Sequence, residues 1–195
     1  MKDDMFSNLW RDLLSARSVL AVSVLLVAIH VAVEIRGGFE SVWMWYETLG
    51  LTRAGVAKGW FWQLGTHALL HGHWLHLGLN VLALLLVGSR LVRIGGPSMF
   101  LRVIGAGILA GGVLHLLLAG SNPWPLVGIS GGVFAAVLFL TSISPGSRMW
   151  PLPVSGKNLG LGVLIACALL ASLNPALGWG AWSEWGRQLD VLFGG

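Results

Sequence analysis

The chain has 195 residues, 55% of them hydrophobic and only 10% charged, with a mean hydropathy of +0.78. A water-soluble domain carries roughly 25% charged residues, so the composition excludes a surface that faces water all round and predicts an all-α polytopic membrane protein. The net charge of +4 comes from scattered basic residues, which argues against nucleic acid as a partner, and the single cysteine, Cys167, excludes an intrachain disulfide.

Residues 1–17 are polar, with three basic and three acidic side chains, and form the expected cytoplasmic N-terminal segment; no cleavable signal peptide is evident. Five apolar runs follow, at about 18–35, 74–94, 99–120, 128–144 and 158–178. Each approaches the roughly 20 residues that cross a hydrocarbon core as a helix, and strand alternation of the membrane-barrel kind is absent. Residues 18–178 are thus read as one membrane domain, and 179–195 as an outer C-terminal segment. Lys2, Arg11, Arg17, Arg90, Arg93, Arg102, Arg148 and Lys157 fall on one side of these spans; Arg36, Arg53, Lys58 and Arg187 fall on the other. The positive-inside bias predicts a multi-pass protein of the cell (inner) membrane with its N-terminus in the cytoplasm. Tryptophan follows the same division: Trp43, Trp45, Trp60, Trp62, Trp74, Trp124, Trp179, Trp182 and Trp185 map outside, Trp10 and Trp150 inside. The long loop from Gly37 to Trp62 is therefore expected to lie in or against the outer leaflet. Inside the spans, Gly107 and Gly111, and Gly156 and Gly160, are spaced for close helix packing.

Two polar clusters interrupt the apolar runs. The tract "HALLHGHWLHLGLN", His67 to Asn80, opens the second run, where His76 and Asn80 are four apart and share a helix face. An amide more than a turn inside a span needs a protein partner or a hydrated cavity. The bland alternative is that the pair hydrogen-bonds neighbouring helices for packing. In "VGISGG", Ser130 stands between Gly128 and Gly131 at the start of the fourth run. Free N–H groups and a partial positive charge at a helix start favour an oxyanion formed on a substrate, and flanking glycines let a substrate backbone come close. Alone, a Gly-x-Ser-Gly in a membrane helix is more often a packing motif. The histidines His67, His71, His73 and His76 also suggest a metal or transport site, but acidic and cysteine partners are lacking nearby, so neither metal nor cofactor is expected.

Taken together, His71, His76 and Asn80 before the second span and Gly-Ile-Ser-Gly before the fourth resemble the rhomboid family of intramembrane serine proteases, over roughly residues 18–178. The resemblance implies a rhomboid-like transmembrane helix bundle, here with five readable spans, and cleavage of transmembrane protein substrates near the outer membrane face, with the lipid bilayer as surroundings. It implies Ser130 as nucleophile, His76 and Asn80 as oxyanion stabilisers, Gly128 and Gly131 as the glycines beside the nucleophile, and a more structural role for His71. The family's general base is a histidine in a sixth span. No residue here matches it, so the base is unknown, and 179–195 reads as the loop before such a span. A non-catalytic rhomboid-like protein that binds membrane clients is the alternative. Three further expectations concern single residues: His30 and Glu34 pair within the first span, His115 makes a structural hydrogen bond, and Gln63 stands where many members have arginine, which puts the anchoring of the first loop in question.

Overall fold

Residues 16–118, 124–149 and 153–172 are described by a computed structural model. Residues 1–15, the C-terminal segment 179–195, the side chain of Cys167, the tail of the fifth run and Trp10, Trp150, Trp179, Trp182, Trp185 and Arg187 lie outside the described residues. The described part is helical, with two isolated antiparallel bridges and no strand.

Helix α1 (Arg17–Ile35) buries Val19, Ser23, Leu26, His30 and Val33. Steps of four and three place these residues on one stripe, while Val24, Leu25, Val27 and Val31 on the other faces are exposed. The helix ends where Gly37 takes a left-handed conformation, φ 96°.

The first long loop is not an open tether. It folds into short helices α2 (Gly38–Ser41), α3 (Trp43–Leu49), α4 (Arg53–Ala57) and α5 (Gln63–Thr66). Their hub is Gln63, which is fully buried. Its Oε1 accepts from Thr52 N–H at 3.1 Å, and its Nε2 donates to Glu47 O at 2.8 Å and Thr48 O at 3.2 Å. Gly55 lies beneath the amide, where a Cβ would stand 2.6 Å from Gln63 Cδ. Trp62 Nε1 donates to Thr48 O and Thr66 Oγ1 to Leu49 O. The doubt that Gln63 raised about the loop's anchoring is therefore corrected: a neutral amide, donor and acceptor at once, joins three backbone groups that a guanidinium could serve only as donor.

Past a 3-10 turn (His67–Leu69), helix α6 (Trp74–Ala83) runs through a π-helical turn (Leu84–Gly88) into α7 (Ser89–Leu118). The helical run breaks at Gly95 and Gly96 (φ 74°), followed by Pro97. Gly88 packs on Phe100, whose Cε2 would lie 2.8 Å from an added Cβ. Twelve residues of unbroken helix would separate them by about 18 Å. The chain must therefore reverse at Gly95–Gly96, and 74–94 and 97–118 form a helical hairpin, with Pro97 suited to the first turn of its second arm. Arg53 reaches over from the loop and donates through Nε to Leu116 O at 2.6 Å, near the end of α7.

Helix α8 (Ser130–Ile143) packs antiparallel on the second arm of that hairpin, and α9 (Gly156–Ser172) packs on α8. Glycine makes both contacts. A Cβ at Gly107 would overlap Ala135 Cβ and stand 2.5 Å from Gly131 O; one at Gly131 would stand 2.8 Å from Gly107 O; one at Gly160 would stand 2.5 Å from Thr141 Oγ1. The glycine spacing thus serves close helix packing, as expected.

By length and hydropathy, Arg17–Ile35 and the 45-residue stretch Trp74–Leu118 are long and apolar enough to cross a bilayer. Leu75, Leu79, Leu82, Leu109, Leu117 and Phe134 point outward, a surface suited to hydrocarbon and poorly suited to water. Helix α8 begins at Ser130 rather than at the expected 128, because Gly128 (φ 107°) still belongs to the turn before it.

Gly107→Ala is expected to destabilise the protein by about 1–3 kcal/mol through overpacking against α8. Gly105→Ala, two residues away with open space at the Cβ position, should leave the thermal midpoint unchanged or slightly raised. Equal midpoints for the two variants would mean that the interface is looser than described.

Candidate functional site

The site grows from the start of α6. His73 caps this helix, its Nδ1 accepting from His76 N–H at 3.1 Å, which leaves the His76 side chain one turn in and Asn80 one turn deeper on the same face. His71, just before the helix, is buried, and its ring meets that of His76 edge-on at 5.0 Å. Tyr46 Oη, from α3, donates to His71 O at 2.8 Å and fixes the backbone there. Burial, with the neighbouring imidazoles of His76 and His30 acting in the same direction, lowers the pKa of His71 to about 4. At neutral pH it is uncharged, and neither ring nitrogen has a hydrogen-bond partner.

The serine is delivered by a short non-helical stretch. Leu126 exchanges two backbone hydrogen bonds with Leu51, at 2.9 and 3.0 Å, and Gly128 N–H donates to His67 O at 2.9 Å. These bonds draw the stretch down beside the histidine tract, so that Gly128 and Ile129 are buried and Ser130 opens α8 half-buried. Gly128 adopts φ 107°, and a Cβ there would stand 2.7 Å from His76 Cε1, 2.8 Å from His76 Nε2 and 3.8 Å from Asn80 Nδ2. His76, Asn80 and Gly128, predicted separately from two motifs 48 positions apart, thus meet at one point, two residues before Ser130. Gly131 does not join this cluster; it faces Gly107 and Gly111 on α7, so it places the serine by packing.

Several polar atoms at this point are unspent, both ring nitrogens of His71 among them. Asn80 is buried and its Nδ2 has no hydrogen-bond partner among the described residues. No described residue hydrogen-bonds the Ser130 side chain either. A buried N–H donor without a partner costs about 1–3 kcal/mol. Set beside the free N–H groups of a helix start, it is suited to receive negative charge developing on an oxygen.

The remaining histidines act elsewhere. His67 Nδ1 lies 2.8 Å from Gln63 O; a carbonyl only accepts, so Nδ1 carries the proton. Burial lowers the pKa of His67, and the same carbonyl contact acts to raise it. Its backbone carbonyl holds Gly128, a role the sequence reading did not assign. The "THALLH" spacing placed His67 near the motif, but a main-chain contact 61 positions away leaves no trace in side-chain type. His30 Nε2 lies 3.8 Å from Glu34 Oε1, as expected for a pair, and its ring also meets Trp74 edge-on at 4.6 Å. His115 is half-buried and makes no hydrogen bond among the described residues, so the expected structural bond is not found there; it stands one turn beyond Gly111 on α7.

Comparison with known proteins identifies the family of the chain. The family model for the Rhomboid domain matches residues 58–188, a stretch that includes the histidine tract and Ser130. The chain is 30% identical over 110 residues to rhomboid protease GluP of Bacillus subtilis, covering 56% of this chain and 21% of that protein. It is 32% identical over 111 residues to Rhomboid-like protein 15 of Arabidopsis thaliana, covering 51% of this chain and 28% of that one. The chain thus spans about a fifth to just over a quarter of the length of these two relatives. With most of its length matched by the domain, the chain belongs to the rhomboid family.

Proposed function

We propose that the protein is an intramembrane serine protease that cleaves transmembrane protein substrates near the outer membrane face. Ser130 acts as nucleophile, and His76, Asn80 and the N–H groups at the start of α8 hold the oxyanion. The observation that carries this reading is the meeting of His76 and Asn80 at Gly128, with the Asn80 amide donor buried and unspent. Family membership supports the reaction class. The bundle is read as five spans: α1, the two arms of the 74–118 hairpin, α8 and α9. Helix α8 is short, 14 residues or about 21 Å. Its start therefore lies below the membrane surface if its far end reaches the opposite face, which puts Ser130 at the depth where a substrate segment leaves the hydrocarbon.

The positive-inside bias puts Arg90, Arg93, Arg148 and Lys157 in the cytoplasm and the serine end of the bundle outside. The tryptophans of the first loop fit the same orientation. Trp43 (37% exposed) meets Trp124 edge-on at 5.6 Å, and Trp60 and Trp62 stack at 5.8 Å with Lys58 over Trp60. Such a surface suits the headgroup region.

A second reading, a non-catalytic rhomboid-like protein that binds membrane clients, is favoured by one observation: no described residue hydrogen-bonds Ser130, and a serine without a base is a weak nucleophile. A serine-directed fluorophosphonate separates the two readings. Labelling at Ser130 supports the enzyme, and failure to label natively folded full-length protein supports the binder.

In the full-length protein, Ser130→Ala is expected to abolish cleavage of a transmembrane reporter while leaving expression and thermal stability nearly unchanged. Proteolysis that survives in the purified variant would remove Ser130 from its assigned role.

Asn80→Ala should lower kcat by the equivalent of about 2.7–4 kcal/mol, the usual loss for one oxyanion donor, with a smaller effect on KM. Its thermal midpoint should not fall, because the deleted donor has no partner to lose. Gly128→Ala should instead cost both activity and stability, since its Cβ meets the His76 ring. A fall in folding yield at Asn80 with kcat intact would make that residue a packing element.

A further inference from the structure

Helix α6, which carries both His76 and Asn80, begins in a way that proteolysis alone does not require. Its N-cap is His73, held extended at φ -160° and ψ 165°. The His73 carbonyl accepts the first helical hydrogen bond, from Leu77 N–H at 3.1 Å, and its ring Nδ1 accepts from His76 N–H at 3.1 Å. Helix caps are usually serine, threonine, aspartate or asparagine, whose side-chain oxygens accept at any physiological pH. An imidazole nitrogen accepts only while the ring is neutral, so here the proton sits on Nε2. A second proton fills the Nδ1 lone pair and turns the acceptor into a donor. It also puts a positive charge at a helix N-terminus, where the helix dipole is already positive. The first turn of α6 has no acidic side chain to offset either effect.

The capped N–H belongs to His76 itself, whose ring stands against Gly128. A cap lost at this residue therefore loosens the turn that aims the ring. Trp74 and Leu75, the first two residues of the helix, are both exposed, so packing does little to hold the turn in place of the cap. The titratable groups around His73 are His76 on the same helix, its ring 5.8 Å away, His71 just before it, and His30 on α1, which pairs with Glu34. His71 stays uncharged through the physiological range, because burial lowers its pKa to about 4. We propose that His73 is a positioning residue and a proton-operated catch for the oxyanion site, a role that rests on the assignment of His76 proposed above. Its neutral ring holds the first turn of α6, and His76 with it; protonation of the ring releases that turn.

The test compares full-length wild type, His73→Ser and His73→Ala by cleavage of a transmembrane reporter and by thermal midpoint, from pH 8 down to pH 5.5. Serine caps without titrating, and alanine cannot cap. At pH 8, His73→Ala should lower kcat by up to about fivefold, the population shift that one lost cap produces, with KM little changed. His73→Ser should recover most of that loss. As the pH falls, the wild type should lose kcat relative to His73→Ser and drop about 2–4 °C below it in midpoint, approaching His73→Ala. Ratios between variants cancel the acid limb of any general base that they share. A constant ratio of wild type to His73→Ser from pH 8 to pH 5.5 overturns the catch and assigns the acid loss to His76, His30 or the base. Equal kcat for the serine and alanine variants at pH 8 overturns the positioning role. Should no form cleave the reporter, the protease reading fails separately, and the midpoints still decide the cap: parallel curves for wild type and His73→Ser overturn it, and diverging curves support it.

Discussion

One backbone hydrogen bond, from Gly128 N–H to His67 O, fixes the relation between the two polar motifs. A chain segment that dips among buried helices without being helical must satisfy its own N–H and C=O groups. Here the histidine tract and the first loop do so: His67 takes the N–H of Gly128, and Leu51 takes both groups of Leu126. Without these bonds the stretch before α8 would have to stay at the surface, and Ser130 with it. The histidine tract therefore contributes main chain as well as side chains. The left-handed φ of Gly128 completes the turn, and its missing side chain leaves room for the His76 ring.

That bond holds its place because both of its sides are braced. Below it, α7 and α8 touch backbone to backbone at Gly107, Gly111 and Gly131, so α8 cannot slide without opening a contact that has no compliant side chain in it. Above it, the Gln63 amide ties Thr52, Glu47 and Thr48 together. The turn from Gln63 to His67 is closed by the His67 ring on Gln63 O. The loop with its exposed tryptophans is thus continuous, through Gln63 and His67, with the position of Ser130. A disturbance of the loop's hub should reach the serine without touching it.

The helices were legible in the sequence because hydrocarbon-length apolar runs have few alternatives to a helix. The hairpin turn was legible too, as the gap between the apolar runs 74–94 and 99–120. So was the shared face of His76 and Asn80, which needs only the helical period. What faces that pair was not legible by physics alone. Gly128 lies 48 positions beyond Asn80, and nothing in local spacing brings the two together; the family resemblance supplied that link. The service of Gln63 was not legible for a related reason. Comparison with a charged residue at that position left the anchoring open, whereas an amide can donate and accept at once and serves three backbone groups that no local pattern announces. His67 was missed because its service to Gly128 is done by a carbonyl, which every residue has.

The polar groups of the outer half fall into two kinds, and the division bears on function more directly than their identities do. Gln63, Tyr46 and Thr66, with the ring of His67, have made hydrogen bonds inside the protein. Their donors are committed, and their removal would be felt as lost stability. Asn80 Nδ2 is buried and uncommitted among the described residues. An unsatisfied donor works against folding, a cost that Asn80 Nδ2 shares with buried side-chain atoms of Ser18, Ser23, His30 and His71. A donor kept unpaired beside a helix start instead lowers the energy of a state not yet formed, one in which an oxygen at that point has become negative. The free-energy cost sits in the resting protein and is relieved in the reacting one. Burial without a partner is shared by the ring nitrogens of His71 and His30, so it is the position beside Gly128 and the start of α8 that singles out Asn80 for the proposed role.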